Sequence, residues 1–279
     1  MRKVISSFAV LILYSGCSGQ QALIRTNLLG QEVAKPDQDW YGADIKLLPF
    51  YNNAIELAEI ASALSVRSAP IGQKYYAFRL AIQAHELDKQ NKAVALALSR
   101  ASFLVADSIE DNDESKIKKS AEIGVKAARI AGVNDTNPEA CYYFALNQGL
   151  IVRIKGLFAL NKLPEIVDAL KIAQKADSLE AGGPLRVLGM LYLKAPAWPT
   201  GIGDLDKSLE ILQQAVTKYP THPQNFMFYA EALIEDDDKE KALQNLDIAY
   251  RLAAPEIWGV YYSKTWRKEI DALKNKISK

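Results

Sequence analysis

The stretch PTHPQNFMFYAEALIEDDDKEKALQNLDIAYRLAAP, residues 220–255, places two apolar stripes at helical spacing on either side of one acidic break. Tyr229, Ala230 and Leu233 fall on one face of a first helix. Asp236-Asp237-Asp238 reads as a polar turn at the start of the next helix, where carboxylates suit the positive end of the backbone dipole. Ala242, Leu246 and Ala249 then recur at steps of four and three, and Ala254-Pro255 ends the unit. Thirty-four residues earlier, Ser208, Leu212, Ala215 and Pro220 stand at the places of Ala242, Leu246, Ala249 and Ala254. The same steps recur in Ala169, Ala173, Ala176 and Ala181, and more faintly in Ser120, Gly124, Ala127 and Gly132. Small residues at these positions let two antiparallel helices approach closely, while the large residue between them fills the gap. One helix pair cannot bury its stripe alone, so pairs stack.

Working outward, the spacing predicts helices over 44–65, 73–89, 92–108, 114–131, 138–160, 163–178, 184–194, 204–218, 223–235, 238–252 and 256–276. Alternation at period two is sustained nowhere. The expected fold is therefore all-α, a helical-hairpin repeat array over residues 43–279 with a C-terminal capping helix. Its alternative is an irregular helical bundle. In the cap, Ile257, Val260, Tyr261 and Trp266 are expected to cover the last repeat, with Lys264, Arg267, Lys268, Lys274 and Lys276 facing water. With Leu188-Gly189 followed by Tyr192 in one first helix, the pattern resembles the tetratricopeptide repeat, strongly over 184–255 and fairly over 138–181. Repeats before residue 115 are degenerate.

Composition agrees with a folded chain of 279 residues: 49% hydrophobic, 24% charged, with only 15 glycines and 11 prolines. A formal net charge of +1 provides no strong pull toward nucleic acid. Arg2 and Lys3 precede an apolar run from Val4 to Tyr14, and Ser15-Gly16-Cys17 follows. Residues 1–16 read as a signal peptide, too short to span a bilayer permanently. Cys17 after Ser-Gly resembles the lipobox of bacterial lipoproteins, although Tyr14 stands where such boxes usually carry an aliphatic residue. The resemblance implies acylation of Cys17, a tether over 17–42, and periplasmic attachment to the envelope, with the outer membrane favoured. An ordinary signal peptide with a coincidental cysteine is the alternative. Lipidation would leave Cys141 alone, with no intrachain disulfide, as a small buried hydrophobe in an apolar run.

The residue types that carry catalysis are scarce. His85 lacks the second histidine at the helical spacing zinc proteases use, and His222 sits in an inter-repeat turn. Gly201-Ile202-Gly203 lacks the last glycine of a dinucleotide loop and follows a proline-rich break rather than a strand. The three aspartates at 236–238 lack the glycine and distal glutamate of a helix-loop-helix calcium site. The chain is expected to be no enzyme and to need no cofactor or metal.

Ligand candidates come instead from irregularities. From Gly189 to Ser208 is 19 residues, whereas Ala230 to Ala242 is 12, so about seven extra residues separate the helices of that repeat. Pro196 and Pro199 stiffen the insertion around Trp198, which reads either as a binding anchor or as a hydrophobic lid. In the 138–160 segment Tyr143 and Asn147 share a helix face, and Arg153 follows. Arg186, after the Gly182-Gly183-Pro184 break, is placed to bind a carboxylate on the same side. Surface ion pairing of Arg153 and Arg186 is the alternative. The candidate ligand residues are thus Tyr143, Asn147, Arg153, Arg186 and Trp198.

Two stretches carry a closer resemblance: Cys141-Tyr142-Tyr143-Phe144-Ala145-Leu146-Asn147-Gln148-Gly149-Leu150, and Gly182 to Gly189 continuing through Ala195-Pro196-Ala197-Trp198-Pro199 to Gly203-Asp204-Leu205-Asp206-Lys207. Over roughly 115–250 the chain resembles the T-component (TatT-like) lipoproteins of tripartite ATP-independent periplasmic (TRAP) transporters. That resemblance implies a helical periplasmic lipoprotein that associates with an extracytoplasmic solute-binding protein. It also implies a small hydrophobic or acidic ligand and a homo-oligomer. A general repeat scaffold for envelope assembly is the competing expectation.

Overall fold

Side-chain caps decide where most helices begin. Asn53, Asn91, Asp113, Asn137, Asp204, His222 and Asp238 each stand just before a helix and accept a backbone N–H from its first turn. In this computed structural model the described residues are 52–109, 113–176, 179–197, 199 and 201–278. Their α-helices are α1 Ala54–Leu64, α2 Ile71–Leu87, α3 Lys92–Ala106, α4 Glu114–Ala128, α5 Pro138–Lys155, α6 Leu163–Ala173, α7 Gly183–Lys194, α8 Leu205–Lys218, α9 Pro223–Glu235, α10 Lys239–Leu252 and α11 Pro255–Ile277. No strand occurs among the described residues, only an isolated parallel bridge between Ala197 and Gly203. The fold is all-α, built of tetratricopeptide-like helical hairpins with a C-terminal capping helix.

The chain divides between Ala131 and Gly132 into two compact units. In the first, α1 packs on α2 and α3 on α4, while α2 and α1 both touch α3. In the second, the hairpins are α5/α6, α7/α8 and α9/α10, and α11 packs against both α10 and α9. That is the position a further first helix would take. α7 likewise touches α9 directly, first helix on first helix.

The small-large-small spacing does what close approach requires. Ser208, Leu212, Ala215, Ala242, Leu246 and Ala249 are all completely buried. Gly189 shows why no side chain is tolerated opposite them. A Cβ there would lie 2.5 Å from Leu212 Cγ, well inside van der Waals contact.

Three expected boundaries are corrected. α1 begins at Ala54, because the Asn53 side chain caps Ile55 N at 3.0 Å; residues 44–51 lie outside the described set. The helix expected over 138–160 stops at Lys155. Gly156 takes φ 55° and ψ −133°, a positive-φ conformation that favours glycine and cannot continue the helix, and a tighter 3-10 segment continues to Lys162. The helix expected to reach 178 ends at Ala173 in a turn closed by Ala176 N donating to Ala173 O at 3.2 Å.

The cap is corrected at Ile257 and Val260, while Trp266 is buried and Tyr261 packs against the core as expected. Gly259, at φ 74° and ψ 161°, breaks α11 after its first turn. From there Tyr262, Trp266 and Ile270, spaced by four, face inward and are buried. Ile257 and Val260, expected to cover the repeat, are 63% and 75% exposed. Trp266 joins Trp258 (5.3 Å between ring centroids), Tyr262 (5.2 Å) and His222 (5.7 Å). His222 is more than a turn residue: its Nδ1 accepts from Gln224 N at 3.3 Å, capping α9 while its ring packs on both tryptophans. Lys274 and Lys276 pair with Asp247 and Glu235, each at 2.6 Å, instead of standing only in water.

In the first unit Lys74 is buried, and its Nζ donates to Ser108 Oγ at 3.0 Å. Burial pushes the amine down from 10.5 to about 7; Asp107 opposes this and Arg67 adds to it. The folded value lies below the unfolded one, so the fold penalises the charged form. The penalty is complete below pH 7 and disappears as pH rises toward 10.5. Lys74→Met, which removes that penalty, is therefore expected to raise stability at neutral pH. Its advantage over wild type should vanish by pH 10.5, as read from denaturation curves across that range.

Candidate functional site

The 180–186 segment is where expected site residues meet. Glu180, Ala181 and Gly182 take φ values of 48°, 47° and 84°, a run in the left-handed region that non-glycine residues seldom occupy. Gly182 and Gly183 leave no room for a side chain: a Cβ would lie 2.5 Å from the Tyr219 ring and 2.2 Å from the Tyr142 hydroxyl, respectively. The turn is held by Arg186, which is buried. Its Nη1 donates to Asn225 Oδ1 at 2.7 Å and to Ala181 O at 3.3 Å, and its Nη2 to Glu180 O at 3.2 Å. Asn225 Nδ2 donates in turn to Tyr219 O (2.8 Å) and Ala181 O (3.2 Å). A charged guanidinium on converging carbonyl oxygens stabilises the strained turn and ties α7 to the start of α9.

Tyr143 reaches the same turn, its hydroxyl donating to Glu180 Oε1 at 3.2 Å. Asn147, buried one helical turn on, donates from Nδ2 to Tyr143 O at 2.8 Å. Tyr143 and Arg186 are thus brought together through Glu180, with Asn147 alongside. Arg153 is exposed near the end of α5 and is not brought to them. Trp198 lies outside the described residues. Sequence reasoning missed Glu180 and Asn225. The available signal was Asn225, a polar residue on the apolar side of a first helix, placed where it meets the preceding turn.

The insertion folds back on itself. Gly203 N donates to Pro196 O at 2.8 Å, Gly201 N to Ala197 O at 3.1 Å, and Asp204 N to Tyr192 O at 2.9 Å. A Cβ on Gly201 would lie 2.3 Å from Pro196 O, and one on Gly203 would lie 2.2 Å from Ala195 O. Both glycines are there for backbone approach. The folded loop forms one wall of a cleft of about 390 Å³, lined also by Pro164, Val167 and Asp168 of α6, Tyr192 of α7 and Lys207 of α8. Lys207 Nζ sits 2.7 Å from Asp204 Oδ2 and 5.7 Å from the Tyr192 ring centroid. The Lys207 side chain, then its backbone N–H, hold the Asp204 carboxyl below its ordinary pKa. The cleft thus offers an aromatic ring, backbone edges and paired charges.

A second surface runs over successive first helices. Lys194 of α7 pairs with Glu231 of α9, and Glu235 of α9 with Lys276 of α11. Half-buried Met190, Leu193 and Ile234 lie on the same helices. Such a strip offers alternating charge and apolar area to an extended or helical segment. Among the described residues no group of three or more His, Cys, Asp or Glu is placed to hold a metal ion. No described helix is long and apolar enough to cross a membrane. Burial pushes the Cys141 thiol above its ordinary pKa, the direction of an unreactive core residue.

Comparison with known proteins finds solved structures of low sequence likeness. No family model matches the chain. No curated protein matches it either. Among solved structures, it is similar to the MamA RS-1 ArsTM double mutant, with a TM-score of 0.41 and 18% identity, over 72% of this chain and 97% of that one. It is also similar to yeast Tom70, with a TM-score of 0.41 and 16% identity over 80% of this chain. The chain spans 47% of the Tom70 chain.

Proposed function

We propose that this chain is an envelope-tethered adaptor: a tetratricopeptide-like scaffold, lipid-anchored at Cys17, that holds a protein partner. The observation that carries the binding role is the pairing of two features on the second unit. One is the first-helix strip through Lys194, Glu231, Glu235 and Lys276; the other is the cleft walled by the glycine-closed insertion. Stacked hairpins present such surfaces on rigid helices, so little ordering cost opposes binding. The partner we favour, on the resemblance of 115–250, is the extracytoplasmic solute-binding protein of a TRAP-type transporter. A small apolar or acidic ligand would enter the cleft beside the insertion that contains Trp198.

Crosslinking in native membranes followed by capture and mass spectrometry tests this reading. Recovery of a solute-binding protein or transporter subunit is expected, and Glu231→Lys, which reverses one charge of the strip, should reduce it at least about tenfold. Recovery of envelope-assembly proteins alone would replace the transport role with a general scaffold. Cys17→Ala is expected to move the protein from the membrane fraction to the soluble one. Unchanged sedimentation would remove the anchor from the proposal.

A further inference from the structure

The 3-10 segment Gly156–Lys162 between α5 and α6 opens with a feature the adaptor role does not use. Leu157 is 78% exposed and its neighbour Phe158 95% exposed. Folded chains carry scattered single apolar side chains on their surfaces, but two large adjacent ones, almost wholly uncovered, form a projecting wedge. Backbone geometry produces the projection. Gly156, at φ 55°, turns the chain sharply out of α5, and Ala159 and Leu163, both buried, pull it back, leaving Leu157 and Phe158 as the exposed large apolar side chains of the segment.

The nearest charges along the chain on either side of the wedge have one sign. Arg153, Lys155 and Lys162 flank it and are exposed. No carboxylate occurs between Glu139, at the opposite end of α5, and Glu165, which is half-buried in the first turn of α6. An exposed apolar tip flanked along the chain by cations fits one occupant best. It is the interface of a bilayer carrying anionic lipids, where the side chains enter the acyl boundary and the cations meet the headgroups. A protein groove would need no such flanking cations, and a second copy of this chain would oppose like charges.

We infer that the Leu157-Phe158 tip is a membrane-contact wedge that seats the second unit on an anionic lipid surface. The contact is separate from acylation of Cys17: it concerns how the folded unit meets the bilayer, whether or not a lipid tethers the chain.

The test places an environment-sensitive fluorophore beside the tip, at Asn161→Cys in the full chain, with the same label at Lys175→Cys as reference. Vesicles of phosphatidylcholine with phosphatidylglycerol, and of phosphatidylcholine alone, are compared, some carrying quenchers at known depth. The expected result is a blue shift and quenching at 161 but not at 175, stronger with the anionic lipid. Leu157→Ser with Phe158→Ser should weaken vesicle partitioning at least about tenfold, as loss of two buried apolar side chains requires. Circular dichroism of this exposed-site variant should be unchanged. A label at 161 that stays in water on every vesicle overturns the inference. So does a blue shift that appears without lipid and grows with protein concentration, which would assign the tip to contact between copies. Failure of Cys17-dependent sedimentation would sink only the anchor.

Discussion

Trp266→Ala is expected to lower the stability of the C-terminal unit by about 3–5 kcal/mol, the range for truncating a buried large aromatic. Trp266 is 2% exposed and sits at the centre of the rings of His222, Trp258 and Tyr262. Truncation leaves a cavity where α11 covers α9 and α10. His222 loses one of its two ring neighbours while its Nδ1 still caps α9, so loosening should begin at the α9 terminus and spread through the last hairpin. Chemical denaturation gives the magnitude, and amide exchange gives the location. Protection should fall in α9, α10 and α11 before α5 and α6, as nearest-neighbour stacking demands. Ile257→Ala and Val260→Ala provide the contrast. Both side chains lie mostly in solvent, so changes within about 0.5 kcal/mol are expected. A loss of several kcal/mol at Ile257 or Val260 would restore the covering face read from the sequence, in which both stood beside Trp266, and overturn the one described here.

The second large effect is expected at Gly189, where valine should cost at least about 3 kcal/mol. Ordinary overpacking costs about 1–3 kcal/mol. Here the neighbour has nowhere to go. A Cβ on residue 189 would meet Leu212 Cγ, Cδ2 and Cδ1 at 2.5, 2.7 and 3.2 Å, and Leu212 is itself completely buried. The contact is specific, so it can be tested by coupling. Leu212→Ala alone opens a cavity and is expected to cost about 2–5 kcal/mol. Combined with Gly189→Val, the added methyls occupy part of that cavity. The double variant should then be more stable than the sum of the two single changes predicts, by about 0.5–3 kcal/mol. Strict additivity would mean that α7 and α8 do not meet at this pair.

Much of the second unit was legible before any coordinates. The steps of four and three at Ser208, Leu212 and Ala215, and at Ala242, Leu246 and Ala249, are direct imprints of helix contact. Only small residues permit the approach, so composition at those positions records the packing. The first unit was harder. Its second helix α2 carries the same steps at Ala77, Ala81 and Ala84, all completely buried. They do not lie one 34-residue period before Ser120, so a search at fixed period passes over them. The hairpins still form, because contact geometry depends on local spacing within a helix and tolerates a change of loop length.

The candidate site was legible in part. Sequence length alone marked the insertion, and Tyr143 and Arg186 do approach one another. The reason for their approach was hidden. It is Glu180, carried in a left-handed turn whose carbonyl oxygens converge on the guanidinium, and Asn225, 39 residues beyond Arg186. Likewise Gly201 and Gly203 read only as an incomplete dinucleotide loop, although each is required because a backbone carbonyl passes within 2.3 Å of where its Cβ would be.

By itself, then, the sequence determined the elements and their pairing: helix formation, close contact and hairpin order are properties of spacing over a few turns. The tertiary structure alone decided which polar groups face one another across those helices. It also decided that α11 turns Tyr262 and Ile270 inward beside Trp266 once Gly259 resets its phase, and that Leu157 and Phe158 stand outside. These outcomes depend on single backbone angles at glycine and on partners far apart in the chain, which periodicity along one helix does not encode.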